Sequence, residues 1–364
     1  MLNSAKDFVI KAGPKALALI RDEGLRPERV RVMAGAAGGP KWLVLYHLDR
    51  LIFSNFFKGR AEPLHLIGSS IGAWRFAALS QPDPLDALDR FREAYIHQAY
   101  DTAPTPAEVT AESRKVMDGY LPETAVPEIL GHPWCRMNLL AVRCRHMTAL
   151  ENKAGMAMGL TGAVASNLIG RKYLGYFFER TLFHDPRDLP PLAAHDTIPF
   201  NRAQLNGQNF ADALLASGSI PLVMSGVANI PGARPGIYRD GGMIDYHMDL
   251  PYRLKDDEIV LMPHFTDAII PGWLDKKLTW RKPSAANMTN VVMIAPTNEF
   301  VQELPNAKIP DRTDFKRYFR QDRERFAAWN QVVAMCRPPA EDFMELVASG
   351  RIREKVQPMA FVSP

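Results

Sequence analysis

Leu64-His-Leu-Ile-Gly-Ser-Ser-Ile-Gly72 runs a short apolar stretch straight into an instance of G-x-S-x-G at 68–72. The apolar run reads as a strand and the residues from Ile71 as a helix, so Ser70 falls on a sharp strand-to-helix turn. A nucleophile at such a turn sits in strained backbone, and glycines at 68 and 72 remove the side-chain clashes that the turn would create. The pentapeptide alone is weak, because glycine and serine are common in turns. The strand before it and the helix after it give it meaning.

Working outward, residues 28–34 alternate Val30, Val32 and Ala34 with Arg31 and Met33 and then enter the glycine-rich loop Gly-Ala-Ala-Gly-Gly-Pro-Lys-Trp at 35–42. Apolar side chains at helical spacing follow over 42–53, and the chain returns to the strand at 64–67. Further strands are expected at 137–142, 236–239, 258–262 and 290–294. A first helix is expected over about 6–22, and two amphipathic helices at about 314–335 and 341–349, the second stopped by Gly350. Strands alternating with helices predict a three-layer α/β/α fold around a mainly parallel sheet. Residues 101–133 and 186–199, rich in proline, look like excursions able to form a lid. The domain organisation expected is a catalytic unit over 1–300, its motifs within 28–250, and a C-terminal helical extension over 301–364.

The chain has 364 residues, 44 Lys and Arg against 40 Asp and Glu, and a net charge of +4, too small an excess to predict a nucleic-acid partner. Three cysteines, at 135, 144 and 336, cannot pair fully and show no C-x-x-C spacing. That pattern suits a reducing compartment and makes the cytoplasm the expected location. Lys6, Asp7, Lys11 and Lys15 interrupt the N-terminal apolar stretch, so no secretion signal is expected. Residues 154–170 carry no charge, but as a helix they reach only about 25 Å, short of a bilayer span. They are expected to form a buried core or cap helix, the sharper alternative being a wall of a lipid cleft or a membrane-dipping flap. None of the nine histidines makes H-E-x-x-H, no Cys/His cluster has zinc spacing, and no metal is indicated.

The loop at 35–42 approaches the phosphate-binding pattern G-x-x-x-x-G-K-[ST]. Pro40 removes a backbone donor there, however, and Trp42 replaces the magnesium-binding hydroxyl. What remains is a glycine turn whose Gly38 and Gly39 N–H groups can face a developing oxyanion at a helix start. Farther on, Arg239-Asp-Gly-Gly242 ends a short strand in a tight turn, and a carboxylate fixed at a strand end is rigid enough to act as a base. Asp245, Asp249, Asp256 and Asp257 are read as solvated or helix-capping acids.

Three motifs in that order resemble the patatin-like phospholipase family, whose pattern is a G-G-x-[RK]-G oxyanion loop, a G-x-S-x-G nucleophile and a D-G-[GA] aspartate. Gly38-Gly39-Pro40-Lys41 is similar to the first, Ser70 to the nucleophile and Asp240 to the dyad acid. Ala216-Ser-Gly-Ser-Ile-Pro221 is similar to the segment that precedes the family's aspartate. The resemblance covers about 28–250; the last hundred residues match no pattern. Trp42 departs from the family's glycine and is expected to crowd the helix start and narrow the pocket. The resemblance implies a flavodoxin-related sheet and a cofactor-free serine acyl hydrolase. In it Ser70 and Asp240 are catalytic, Gly38 and Gly39 form the oxyanion hole, Lys41 meets an anionic head group, and the substrate is a lipid or other acyl ester. A peripheral contact with the inner face of a membrane is the allied expectation.

Two other readings compete. A triad of Ser70, Asp240 and His264 follows the residue order of ordinary α/β-hydrolases. A non-catalytic lipid-binding protein would use 154–170 and the basic, aromatic stretch 273–282 as its surfaces, although a solvated helix with two buried tryptophans is the plainer reading of 273–282. The basic run 312–325, interleaved with acids, is expected to be a salt-bridged helix face.

Overall fold

The computed structural model describes residues 7–193 and 196–360. In chain order the elements are β1 (Phe8–Ala12), α1 (Pro14–Glu23), β2 (Val30–Gly35), α2 (Tyr46–Leu51), β3 (Leu64–Ser69), α3 (Ile71–Leu79), α4 (Pro84–Ile96), α5 (Pro106–Tyr120) and α6 (Ala125–Gly131). The middle of the chain supplies β4 (Cys135–Cys144), α7 (Lys153–Ile169), β5 (Phe178–His184), β6 (Phe200–Gln204), α8 (Phe210–Gly218), β7 (Val227–Ala228) and β8 (Ile237–Asp240). The remainder is β9 (Ile259–Pro263), β10 (Val291–Pro296), α9 (Asn298–Glu303), α10 (Asp314–Arg317), α11 (Asp322–Met335), α12 (Arg337–Ala348), α13 (Ile352–Lys355) and β11 (Gln357–Pro358).

The strands form one sheet in the order β11-β1-β10-β9-β2-β3-β4-β5-β6, with β8 and β7 branching from β4. The run from β10 to β4 is parallel throughout. Its strands are buried almost end to end, as a sheet covered by helices on both faces requires. This is the expected three-layer α/β/α architecture. The carboxyl ends of β2 and β3 lie beside the point where strand order reverses, the usual ligand crevice of such sheets.

One pairing pattern decides the site. The edge of β4 that faces β3 pairs with it through Ser69 opposite Leu140, and the next residue along, Ala141, pairs with Asp240 at the end of β8. Two stretches 170 residues apart are thereby delivered to neighbouring positions on one strand. Gly241 permits this, since a Cβ there would sit 2.3 Å from the Leu140 carbonyl oxygen.

Several expectations are corrected. The N-terminal segment is a strand followed by a helix: β1 pairs antiparallel with β10, and Pro14 opens α1 only after Gly13. The 314–335 helix is broken at Arg320, whose φ is 61°, into α10 and α11. The C-terminal segment is not purely helical, because β11 adds a strand to the sheet edge beside β1. Residues 101–133 contain α5 and α6. The stretch 273–282 is no helix beyond a single turn at Trp273–Asp275, and Trp280 is 65% exposed. Asp245 is buried against Arg180 at 2.6 Å rather than solvated. Lys6, residues 194–195 and residues 361–364 lie outside the described residues. Gly350, with φ 73°, ends the last long helix region as its position predicts.

Candidate active site

Ser70 adopts φ 54° and ψ −128°, a conformation that side chains rarely hold. The strain is imposed from several directions. The Ser70 N–H donates to Ser217 Oγ at 2.9 Å, and that hydroxyl donates in turn to the Leu140 carbonyl at 2.6 Å. Trp74 Nε1 donates to the Leu214 carbonyl at 2.9 Å and ties α3 to α8. The helix also comes close to the end of β2, for a Cβ on Gly72 would lie 2.1 Å from the Gly35 oxygen. A turn held this way is a rigid mount for a reactive hydroxyl.

The Ser70 hydroxyl donates to Asp240 Oδ2 at 2.8 Å, and the other carboxylate oxygen accepts from the Gly242 N–H at 2.7 Å. Both side chains are nearly enclosed, at 5% and 7% exposure. Burial pushes the Asp240 carboxyl up from 3.8 to about 6, against the opposing pull of these hydrogen bonds and of Arg312 and Lys276. Its basicity is thus close to what proton transfer at neutral pH needs.

Gly38 and Gly39 open a tight 3-10 turn that runs to Leu45, so their N–H groups precede any intrahelical partner. Both line the same cavity of about 210 Å³ as Ser70, Asp240 and Lys41. The Lys41 ammonium sits over the Phe265 ring at 4.7 Å, and burial lowers its pKa. Lys276, Asp311, Arg312 and Thr313 add polar groups to its walls, and Met243, Tyr246 and Trp273 add apolar surface. A second cavity of about 760 Å³ also reaches Ser70 and is apolar, lined by Trp74, Tyr95, Val109, Val116, Val223, Met224, Phe315 and Phe319 among others. Gly39, Ser70, Ile220, Arg312 and Thr313 border both cavities. The excursion at 101–133 therefore supplies, through α5, a wall of the apolar cavity.

Not every expected residue comes to this place. His264 is buried, its Nδ1 engages the Thr266 carbonyl at 2.6 Å, and it lines neither cavity. Burial lowers its pKa to about 4. Trp42 does not narrow the pocket; it turns into the core and stacks on Phe91 with ring centres 4.6 Å apart. Helix α7 buries Gly155, Met156, Gly159, Ala163 and Asn167, of which Ala163 joins a small cluster with Val142, Phe178 and Ile244, and it lines neither cavity. Among the described residues no helix is long and apolar enough to cross a membrane, and the three cysteines are free and buried.

Sequence reasoning missed Ser217, Lys276 and Arg312. Ser217 lay in the quoted 216–221 segment, but a small serine there reads as packing. Arg312 lay in a charged run that reads as a solvated face, and the expected salt-bridged face is corrected at this residue: it lines both cavities. Arg325 keeps the expected ion pair, with Asp322 at 2.9 Å, but is buried, its guanidinium 4.4 Å from the Phe315 ring centre.

A search of curated proteins finds no match. Among solved structures, VipD from Legionella pneumophila aligns with 85% of this chain and 67% of its own, at 10% identity and a TM-score of 0.36. The family model described as patatin-like phospholipase matches residues 45–247, which begins after the glycine loop and ends just beyond Asp240. That match spans more than half of the chain, and the protein therefore belongs to the patatin-like phospholipase family, a family of lipid acyl hydrolases.

Proposed function

We propose that this protein is a serine hydrolase that cleaves carboxylic-ester bonds of phospholipids or related acyl esters, with Ser70 as nucleophile and Asp240 as its only base. The observation that carries the reading is the 2.8 Å hydrogen bond between Ser70 Oγ and Asp240 Oδ2 at the junction of a cavity lined by three cations and a strongly apolar one. An acyl ester has the same two-ended character, and the apolar cavity is of the size usual for a ligand site.

In this mechanism Asp240 accepts the Ser70 proton as Oγ bonds to the ester carbonyl carbon. The negative oxygen of the tetrahedral intermediate is held by the N–H groups of Gly38 and Gly39, and Lys41 adds positive charge on the head-group side. Collapse breaks the bond to the alcohol oxygen, which leaves with the proton from Asp240, and the acyl group stays on Ser70. Water then gives its proton to Asp240, its oxygen attacks the acyl carbon, and Ser70 recovers its proton as the free acid departs. A raised Asp240 pKa supports the base role without a histidine. His264 lies outside the cavities, which counts against the triad.

The test is fluorophosphonate labelling together with turnover of p-nitrophenyl esters of graded chain length and of phospholipid vesicles. Labelling and turnover are expected in the native chain, rising with acyl length, and both should vanish in Ser70→Ala. A native chain that neither labels nor turns over any of these esters defeats the proposal.

A peripheral membrane contact is part of the same reading. Helix α7 turns Met158, Val164, Leu168 and Ile169 outward, the last 79% exposed, next to the basic Arg171 and Lys172. Arg281 donates to the Asn167 carbonyl at 2.8 Å, which brings the exposed Trp280 to the same end of the helix. Exposed apolar and aromatic side chains beside Lys172 suit a lipid surface, whereas Arg171 and Arg281 pair with Asp275. Co-sedimentation with anionic vesicles should fall several-fold in Ile169→Glu and in Trp280→Glu, and unchanged binding in both would remove this part.

A further inference from the structure

Three cations from distant parts of the chain line the 210 Å³ cavity: Lys41 from the glycine loop, Lys276 from the loop after β9, and Arg312 from the C-terminal segment beyond the family match. Among the described residues none of the three has a carboxylate partner within ion-pair distance. The two lysine ammonium groups sit over aromatic rings instead, and the Arg312 stem passes beside Gly39. Lys41 packs on Phe265, and the Lys276 ammonium sits 4.3 Å from the Tyr246 ring centre and 5.8 Å from that of Trp273. The Arg312 stem lies over Gly39, its Cγ 3.5 Å from where a Cβ on that glycine would be. Two acids share the cavity, and both are engaged: Asp240 with Ser70 and Gly242, Asp311 with Lys308 at 3.0 Å and with Thr313. Like charges gathered in a partly closed space repel one another, and burial together with Lys41 and Arg312 draws the Lys276 pKa down to about 8. An anion entering the cavity relieves that repulsion, and a phosphate offers a guanidinium a bidentate partner.

Resting on the hydrolase reading above, we propose that Lys41, Lys276 and Arg312 form a receptor for a phosphate carried on the alcohol side of the scissile ester. The preferred substrates are then acyl esters of phosphorylated alcohols without a cationic amine. The aromatic pair Tyr246 and Trp273, which would otherwise suit a quaternary ammonium, already holds Lys276. Arg312 sets this selectivity from outside the segment that carries the nucleophile and the acid.

The test separates binding from chemistry. Glycerol 3-phosphate is titrated calorimetrically into the Ser70→Ala chain, with glycerol and inorganic phosphate as comparisons. Saturable one-to-one binding is expected, weakening as salt rises and falling about tenfold in Arg312→Gln and in Lys276→Gln, with Arg312→Lys recovering much of it. Glycerol should not bind, and inorganic phosphate should bind more weakly than its glycerol ester. Absence of saturable binding, or affinity unchanged in both glutamine variants, overturns the receptor; equal affinity for inorganic phosphate overturns its assignment to a lipid alcohol. In the native chain the ratio of kcat/KM for short-chain phosphatidylglycerol over short-chain phosphatidylcholine should exceed about 10 and should fall toward 1 in Arg312→Gln. A ratio near 1 in the native chain counts against the proposal. If the native chain hydrolyses neither lipid and the serine probe does not label it, the hydrolase reading fails, and the titration still decides the receptor.

Discussion

Replacing Asp240 by Asn separates the two consequences of burying a carboxylate beside a nucleophile. The amide keeps the shape, its oxygen can still accept from the Gly242 N–H, and its nitrogen meets Ser70 as a donor, so the fold is preserved while the proton acceptor is lost. Removal of a general base costs about 10²–10⁴ in rate, and kcat should drop by about 10³. Stability should move the other way. The rise of the Asp240 pKa from 3.8 to about 6 corresponds to about 3 kcal/mol, which is the cost of ionising the carboxyl in the folded chain. Well below the unfolded value of 3.8 the group is protonated in both states and the cost vanishes; as pH rises through about 6 it is fully expressed. Asn carries no such cost. Asp240→Asn should therefore be the more stable chain, by up to about 3 kcal/mol at pH 8 but only about 1 kcal/mol at pH 4.5. Urea unfolding at the two pH values reads this difference, and the native kcat/KM should rise with pH through about 6. An Asn variant within tenfold of native activity would refute the base assignment. One that is less stable at pH 8 would refute the account of the raised pKa.

Two other substitutions follow from the same geometry. Ser217→Ala removes the hydroxyl that joins the Ser70 N–H to the Leu140 carbonyl, so it should cost about 1–2 kcal/mol in denaturant unfolding and lower kcat more than it changes KM; an unaltered kcat would show that the turn holds itself. His264→Asn should keep hydrolysis within about threefold of native, since its ring does not reach the cavities; a folded variant without activity would revive the triad.

Much of the local chemistry was legible because it depends on neighbours in sequence. The turn at Ser70 is specified by an apolar strand, two glycines and a helix within nine residues, and its strained φ of 54° is what that pattern predicts. The strands at 64–69 and 259–263 read correctly because their apolar runs are short and bounded by turn residues. β1 did not, since its five residues run almost directly into α1 and the two periodicities merge. Trp42 was misjudged because a large aromatic after a glycine loop gives no sign of whether it faces a cavity or the core.

The amino-acid order alone pointed to where a serine would be held on a strained strand-to-helix turn, which glycine loop would precede it, and that parallel strands would alternate with helices. These features arise from steric and hydrogen-bonding preferences over a few consecutive residues. The sequence motifs had named Asp240 as the partner of Ser70, but only the folded chain shows how the two meet: β4 changes partner from β3 to β8 between Leu140 and Ala141. Only the fold set Arg312 over Gly39, with no carboxylate partner among the described residues, a property of packing between segments more than 270 residues apart that no local pattern encodes.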